Sequence, residues 1–173
     1  MKRVIELRLA GTVLSLGLLA GCSEQPPSAP VAHAIEPGTA CALDGMLLAH
    51  FPGPKAQIHF KGDELPEFFC DTVEMFSVVL NPEQARMVTA ILVQDMGAAD
   101  WESPRGHWID ARSAFYVVGS SKLGSMGPTI GAFAADPKAA EFAQHYGGRV
   151  LRFGEVSPEM VVLDGGVMRD QKM

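Results

Sequence analysis

From residue 57 onward the chain runs through the same order of elements twice, and that repetition limits the folds open to it more than any other feature. Short runs at 57–60 and 67–70 read as strands, separated by the turn-prone Lys61, Gly62 and Asp63. Val73, Phe76 and Leu80 then fall on one face at helical spacing, which predicts a helix over 72–80 stopped by Asn81-Pro82. Residues 87–96, rich in β-formers around Ile91-Leu92-Val93, complete a β-β-α-β unit. A second unit begins with strands at 114–119 and 131–135, joined by the glycine-rich stretch 119–131. Asp136 as cap and Pro137 in the first turn open a helix running through 138–146 and ending at Gly147-Gly148, and 149–153 is the last strand. The halves share an order of elements and no residue-level identity. Strands not strictly separated by helices predict an α+β fold of two consecutive ββαβ halves, at about 41–98 and 99–156, with mostly antiparallel sheets. Pro158, Gly165, Gly166 and the polar end predict a loose tail over 157–173.

The start of the chain says where such a domain works. Lys2, Arg3 and Arg8 precede an apolar run over 9–20, and Leu19-Ala20-Gly21 stands directly before Cys22. A basic start, a short apolar region and a small-residue ending make residues 1–21 a secretory signal; a spanning helix needs about 20 apolar residues. The ending resembles the bacterial lipobox, which implies cleavage before Cys22 and lipidation of that residue, with Ser23 favouring the outer membrane. Acyl chains at about 0.8 kcal/mol per buried CH₂ hold a domain firmly on a bilayer. The Pro-rich composition of 22–40 predicts an extended tether. Loss of Lys2, Arg3, Glu6 and Arg8 leaves the net charge two units more negative than −6. An acidic surface argues against nucleic acid and suits cations.

Cys41-Ala-Leu-Asp-Gly-Met46-Leu-Leu-Ala-His50 gathers a thiol, a thioether and an imidazole close together. Thiolate and thioether are soft donors that select Cu(I), and imidazole suits copper as well. The candidate ligands are Cys41, Met46, His50 and Met126; the last sits in Gly124-Ser-Met-Gly127-Pro, where flanking glycines present a polarisable thioether. Packing beside Leu47 and Leu48 is the competing role for Met46, and a plug over the core that for Met126. Cys70 reads as a small hydrophobe at a strand end. A Cys41–Cys70 disulfide stays open, because two cysteines remain after lipidation and the compartment is oxidising. Met96 reads as core or lining. His59, His107 and His145 lack comparable company, and His33 lies in the tether, where it captures metal only transiently. The 119–131 stretch lacks the phosphate-loop pattern. Asp110 and Arg112 read as loop-holding contacts, since no nucleophile with a neighbouring base is recognisable.

Cys41-x-x-x-Gly45-Met46, His50-Phe-Pro52-Gly53-Pro54-Lys55-Ala-Gln57-Ile, Asp95-Met96-Gly97, Trp108-Ile109-Asp110-Ala111-Arg112-x-Ala-Phe115-Tyr116 and Gly124-x-Met126-Gly127-Pro128 fall in order and together resemble the NosL family, over about 41–153. The resemblance implies an outer-membrane-anchored copper chaperone serving nitrous oxide reductase maturation. It also implies two ββαβ halves related to the organomercurial lyase fold, and Cu(I) held by sulfur and nitrogen and delivered to the reductase or its maturation complex. Many members carry Cys-x-x-Cys-Gly-Met, whereas here Asp44 stands at the second thiol position. Asp44 is a hard donor and a poor Cu(I) partner, suited only to assisting Cu(II). That leaves Cys41 as the one thiolate of the motif. Release by ligand exchange suits few, soft, reachable ligands, whereas a closed tetrahedral cysteine site traps its metal. No catalytic residue is expected, and a homodimer sharing copper stays open. The rivals are a docking lipoprotein without metal and an organomercurial-lyase-like enzyme, which needs two cooperating thiols and an acid.

Overall fold

The structure, a computed structural model, describes residues 30–161 and 163. The signal segment and Cys22 lie outside the described residues, as does most of the 157–173 tail. The first unit consists of β1 (Ala56–Phe60), β2 (Glu67–Phe69), α1 (Thr72–Val79) and β3 (Val88–Gln94), followed by β4 (Trp108–Asp110). The second consists of β5 (Phe115–Val118), the short hairpin β6 (Leu123–Gly124) and β7 (Gly127–Pro128), then β8 (Gly131–Phe133), α2 (Asp136–Tyr146) and β9 (Arg149–Arg152). In each unit the first strand is central and its neighbours are antiparallel: the sheets run β2-β1-β3-β4 and β8-β5-β9. The α+β class with antiparallel sheets is therefore the observed one, and the ββαβ order recurs.

Alternation along the strands decides how the sheets stack, because successive side chains point to opposite faces. Ile58 and Phe60 of β1 join Val73, Met75 and Phe76 of α1 in the largest core cluster, which also takes Tyr116, Ile130 and Ala132 from the second unit. Val117, next to Tyr116 on β5, instead packs with Phe133 and with Ala139 of α2. So α1 lies between the two sheets and α2 covers the outer face of the second. Residues Thr72 to Phe76 of α1 are all buried, whereas Ala139 is the buried residue of α2. Phe76 meets Tyr116 edge-on with centroids 4.9 Å apart and leans on Phe153 at 5.3 Å. The Tyr116 hydroxyl donates to the Ala111 carbonyl at 2.6 Å, satisfying the one polar atom of that aromatic cluster.

Several expected boundaries move. Leu80 is the C-cap of α1, and Asp136 is the first residue of α2 with Ala135 at its N-cap. The expected tether over 22–40 is docked well before its end. Gln57 faces away from the main core, is fully buried, and needs partners for its amide. The His33 backbone supplies them: its N–H donates to Gln57 Oε1 at 3.0 Å, and Gln57 Nε2 donates to its carbonyl at 2.6 Å. Packing likewise continues past 157, because Val156 and Val161 are both buried in the main core.

Phe76→Ala removes the ring that joins both units, and is expected to lower unfolding free energy by about 3–5 kcal/mol. Urea denaturation checks this as a drop in midpoint at unchanged slope.

Candidate metal centre

The turn from β2 into α1 builds the centre of the site. Asp71 is the N-cap of α1, in extended conformation, and its side chain accepts from the Val73 N–H at 2.9 Å. Glu74, in the first turn, reaches back so that Oε2 accepts from the Cys70 N–H at 3.1 Å. A carboxyl here satisfies an otherwise orphaned donor and sits at the positive end of the helix. The segment carrying Cys41 comes from the other side. It is closed by Cys41 N–H to the Met46 carbonyl (2.8 Å) and Gly45 N–H to the Cys41 carbonyl (3.0 Å), with Gly45 at φ 79°, where a side chain would be strained. Ala42 N–H donates to the Phe68 carbonyl of β2 at 2.8 Å, docking the loop beside the α1 N-terminus.

Two thiols consequently converge on one carboxyl. Cys41 Sγ lies 3.0 Å from Glu74 Oε2, and Cys70 Sγ lies 3.5 Å from the same oxygen and 3.6 Å from Oε1. With Asp44, the donor atoms of Cys41, Cys70 and Glu74 all lie within 4.8 Å of one another. Cys41, Cys70 and Glu74 are buried and Asp44 is exposed. Both cysteines are free thiols, so the disulfide left open by the sequence does not form in this structure.

These groups titrate as one system. The Cys70 thiol beside it is the largest influence bringing the Cys41 thiol down to about 6, against the opposing effect of burial. Cys70 moves upward, by the same contact with Cys41 and by burial. Burial first, then the bond to Cys41, pushes the Glu74 carboxyl up to about 8. The two shifts run in opposite directions, Cys41 towards the thiolate and Glu74 towards the neutral acid. Lys55 lies beneath, buried, with Nζ donating to the Pro52 carbonyl at 2.8 Å and the Cys70 carbonyl at 3.0 Å. Burial lowers it to about 8, opposed by the surrounding anionic groups, Asp71 foremost. Burial raises Asp71 to about 6, opposed by the Thr129 hydroxyl.

The β6–β7 hairpin closes over this cluster. Ser125 N–H donates to Asp71 Oδ2 at 3.2 Å, and the Thr129 hydroxyl donates to Asp71 Oδ1. Gly124 makes this approach possible, since a Cβ there would overlap Asp71 Oδ2. The hairpin tip carries Met126, which lines a cavity of about 230 Å³ together with Asp71 and Glu74.

Of the residues singled out in the sequence, Cys41 is at the centre, Met126 lines the adjoining cavity, and Met46 packs against the Cys41–Leu48–Cys70 cluster. His50 is not brought in. It ends the 3-10 turn Leu48–His50, in which Leu48 is buried and His50 is exposed. Cys70, read as a structural hydrophobe, is a member of the cluster, and so is Asp44, read as a hard donor and a poor Cu(I) partner. Sequence reasoning missed Glu74 and Lys55. The available signal for Glu74 was the spacing Asp71-x-x-Glu74 ahead of an apolar run, a capping pattern that brings the carboxyl back to the residue before the helix. The second unit keeps the same two-residue step from β8 to α2 but carries Ala134, Ala135 and Lys138 where the first has Cys70, Asp71 and Glu74.

Fold and site together define an α+β duplication that, among the described residues, carries one cluster of soft thiol and hard carboxyl donors, built in its first unit. The chain belongs to the NosL family, whose family model matches residues 31–161. It is 40% identical over 162 residues to a copper-binding lipoprotein NosL of Stutzerimonas stutzeri, covering 88% of this chain and 82% of that one. A copper-binding lipoprotein NosL of Achromobacter cycloclastes is 38% identical over 160 residues, covering 90% of this chain and 83% of that one. The crystal structure of the copper chaperone NosL from Shewanella denitrificans matches with a TM-score of 0.73 at 41% identity, over 78% of this chain and 99% of that one.

Cys70→Ala is expected to move the Cys41 titration upward from about 6 towards the ordinary thiol range. Ultraviolet thiolate absorbance followed against pH checks it; an unmoved midpoint would remove Cys70 as the cause. Gly124→Ala is expected to force the hairpin off Asp71 at a cost of about 1–3 kcal/mol, the scale of overpacking, read by thermal unfolding.

Proposed function

We propose that this protein is a lipid-anchored carrier of Cu(I). The observation that carries the reading is the convergence of Cys41 and Cys70 on Glu74, with the Met126 thioether over the adjoining cavity. Two thiolates and a thioether are a soft donor set, and among biological metals that set favours Cu(I). The relatives' names, copper-binding lipoprotein and copper chaperone, support the same cargo. Cys41, Cys70 and Met126 are the proposed ligands, with Met46 adjacent as a replacement donor. Glu74, held towards its neutral form, keeps a hydrogen bond to the sulfurs, and the proton that ligation of Cys70 releases passes to solvent. His50, exposed and outside the cluster, is better suited to meeting a partner than to holding the resting ion.

The half-exposed Met126 and the exposed Asp44 leave one side of the cluster reachable, which supports release by ligand exchange: a donor on the recipient replaces Met126 first and the thiolates last. The recipient in this reading is nitrous oxide reductase or its maturation complex. Residues 1–21 are its signal, Cys22 is the lipidated residue holding it to the periplasmic side of the outer membrane, and the binding domain spans 41–156. Among the described residues no helix is long and apolar enough to cross a membrane.

One rival gains from the geometry. Cys41, Cys70 and Glu74 supply the two thiols and the acid that organomercurial cleavage requires. Turnover separates the readings, and a carrier is expected to bind the mercurial without releasing its hydrocarbon.

Anaerobic titration of the reduced protein with Cu(I) against a competing chelator tests the carrier reading. Cys41→Ser and Cys70→Ser are each expected to weaken binding by more than the roughly 10–100-fold that loss of an outer-shell partner costs, and Met126→Leu by an amount within that range. Unchanged affinity in Cys70→Ser would return Cys70 to a packing role; no binding in the unaltered protein would favour a docking lipoprotein.

A further inference from the structure

A second pair of metal-competent donors lies apart from the thiol cluster. His59 is on β1 with Gln57, on the face opposite Ile58 and Phe60. The two hydrogen bonds between Gln57 and the His33 backbone fix residue 33 over that face. They bring the His33 ring to a centroid distance of 6.0 Å from the His59 ring, at an interplanar angle of 49°. His59 is itself held: its carbonyl accepts from the Thr89 hydroxyl at 3.0 Å, and the β1–β3 ladder shifts register between His59 and Phe60. His59 Nε2 is shielded from solvent and has no hydrogen-bond partner. Leaving a buried polar atom unpaired costs about 1–3 kcal/mol, so this nitrogen calls for an occupant. Burial, and then the neighbouring His33, hold the ring below the ordinary imidazole range, which keeps it neutral with a free lone pair.

The spacing suits one particular ion. A metal–imidazole bond of about 2.0–2.1 Å puts the metal about 3.2 Å from the ring centre, so two rings sharing an ion in line stand about 6.4 Å apart. The observed 6.0 Å corresponds to an angle of about 140° at a shared ion, a clearly bent two-coordinate arrangement. Among the described residues, the group of three or more His, Cys, Asp and Glu donors is the thiol cluster alone, so no third such side chain joins the two imidazoles. Zn²⁺ asks for four ligands, whereas monovalent d¹⁰ copper accepts two or three, a water completing a bent pair, and takes imidazole readily. We propose that His33 and His59 form a two-imidazole Cu(I) site, separate from the thiol cluster, where the N-terminal segment docks on the first sheet. Lacking sulfur, it binds more weakly than the thiols and fills after them.

The site is tested by adding Cu(I), as its acetonitrile complex under anaerobic conditions, to the reduced protein while imidazole nitrogen resonances are recorded. In the unaltered protein the first equivalent is expected to leave His33 and His59 unmoved and the second to shift both. In Cys41→Ser/Cys70→Ser the first equivalent shifts both, which separates this site from the carrier reading. His33→Phe keeps an aromatic ring over the strand without a nitrogen, and is expected to bind the second equivalent at least tenfold more weakly with the first unaffected. His59 resonances that stay in place through saturation of the unaltered protein, or a second equivalent retained in His33→Phe, would overturn the proposal.

Discussion

The rest of the structure depends on the Glu74 carboxyl in the first turn of an enclosed helix. One oxygen accepts from the Cys70 N–H, lies 3.0 Å from the Cys41 sulfur and 3.5 Å from the Cys70 sulfur, so a helix-capping interaction also fixes the spacing of two thiols. Burying that carboxyl in an apolar interior is costly unless it stays protonated or paired. Burial first, then Cys41, moves it upward, while the Cys70 contact first, then Glu74 among lesser influences, moves Cys41 downward. Lys55 supplies the nearby positive charge and at the same time holds the Pro52 and Cys70 carbonyls, coupling the β2–α1 turn to the segment that leads into β1.

The duplication explains why the site can be buried and yet reachable. Each unit offers the same strand-to-helix step, but the second unit spends its own on packing, with alanines before α2. Its contribution to the first is the long β5–β8 connection. The hairpin in that connection is bound to Asp71 by Ser125 and Thr129, and Thr72 of α1 donates to the Ile130 carbonyl at 2.5 Å. One half therefore provides the thiols and the other the thioether-bearing cover. A ligand exchange that begins at Met126 needs movement of a short hairpin and leaves the shared core of Phe76, Tyr116 and Phe153 in place.

The order of elements was legible in the sequence because it rests on local signals: the helical spacing of Val73, Phe76 and Leu80, the stop at Asn81-Pro82, and the glycines after α2. Cys41 and Met126 were legible as soft side chains, and the structure puts the first in the thiol cluster and the second on the adjoining cavity. The place of Cys70 in the cluster was not legible, since it depends on β2 register and on a loop arriving from 29 residues earlier; a strand-end cysteine looks the same with or without a partner across the turn. His50 lies outside the thiol cluster for a local reason. Proximity in sequence counted for less than the 3-10 turn, in which Leu48 is driven inward and a residue two positions on points elsewhere. The docked part of the expected tether hinges on one buried amide, Gln57, whose demand for partners is invisible until β1 is known to be covered on both faces.

X-ray absorption at the copper edge, on protein loaded with one equivalent of Cu(I), tests the paired-thiol site most directly. If Cys41 and Cys70 hold the ion together, the first shell is dominated by sulfur, and Cys70→Ser loses one sulfur scatterer. A first shell made of nitrogen and oxygen, or one that Cys70→Ser leaves unchanged, would contradict it.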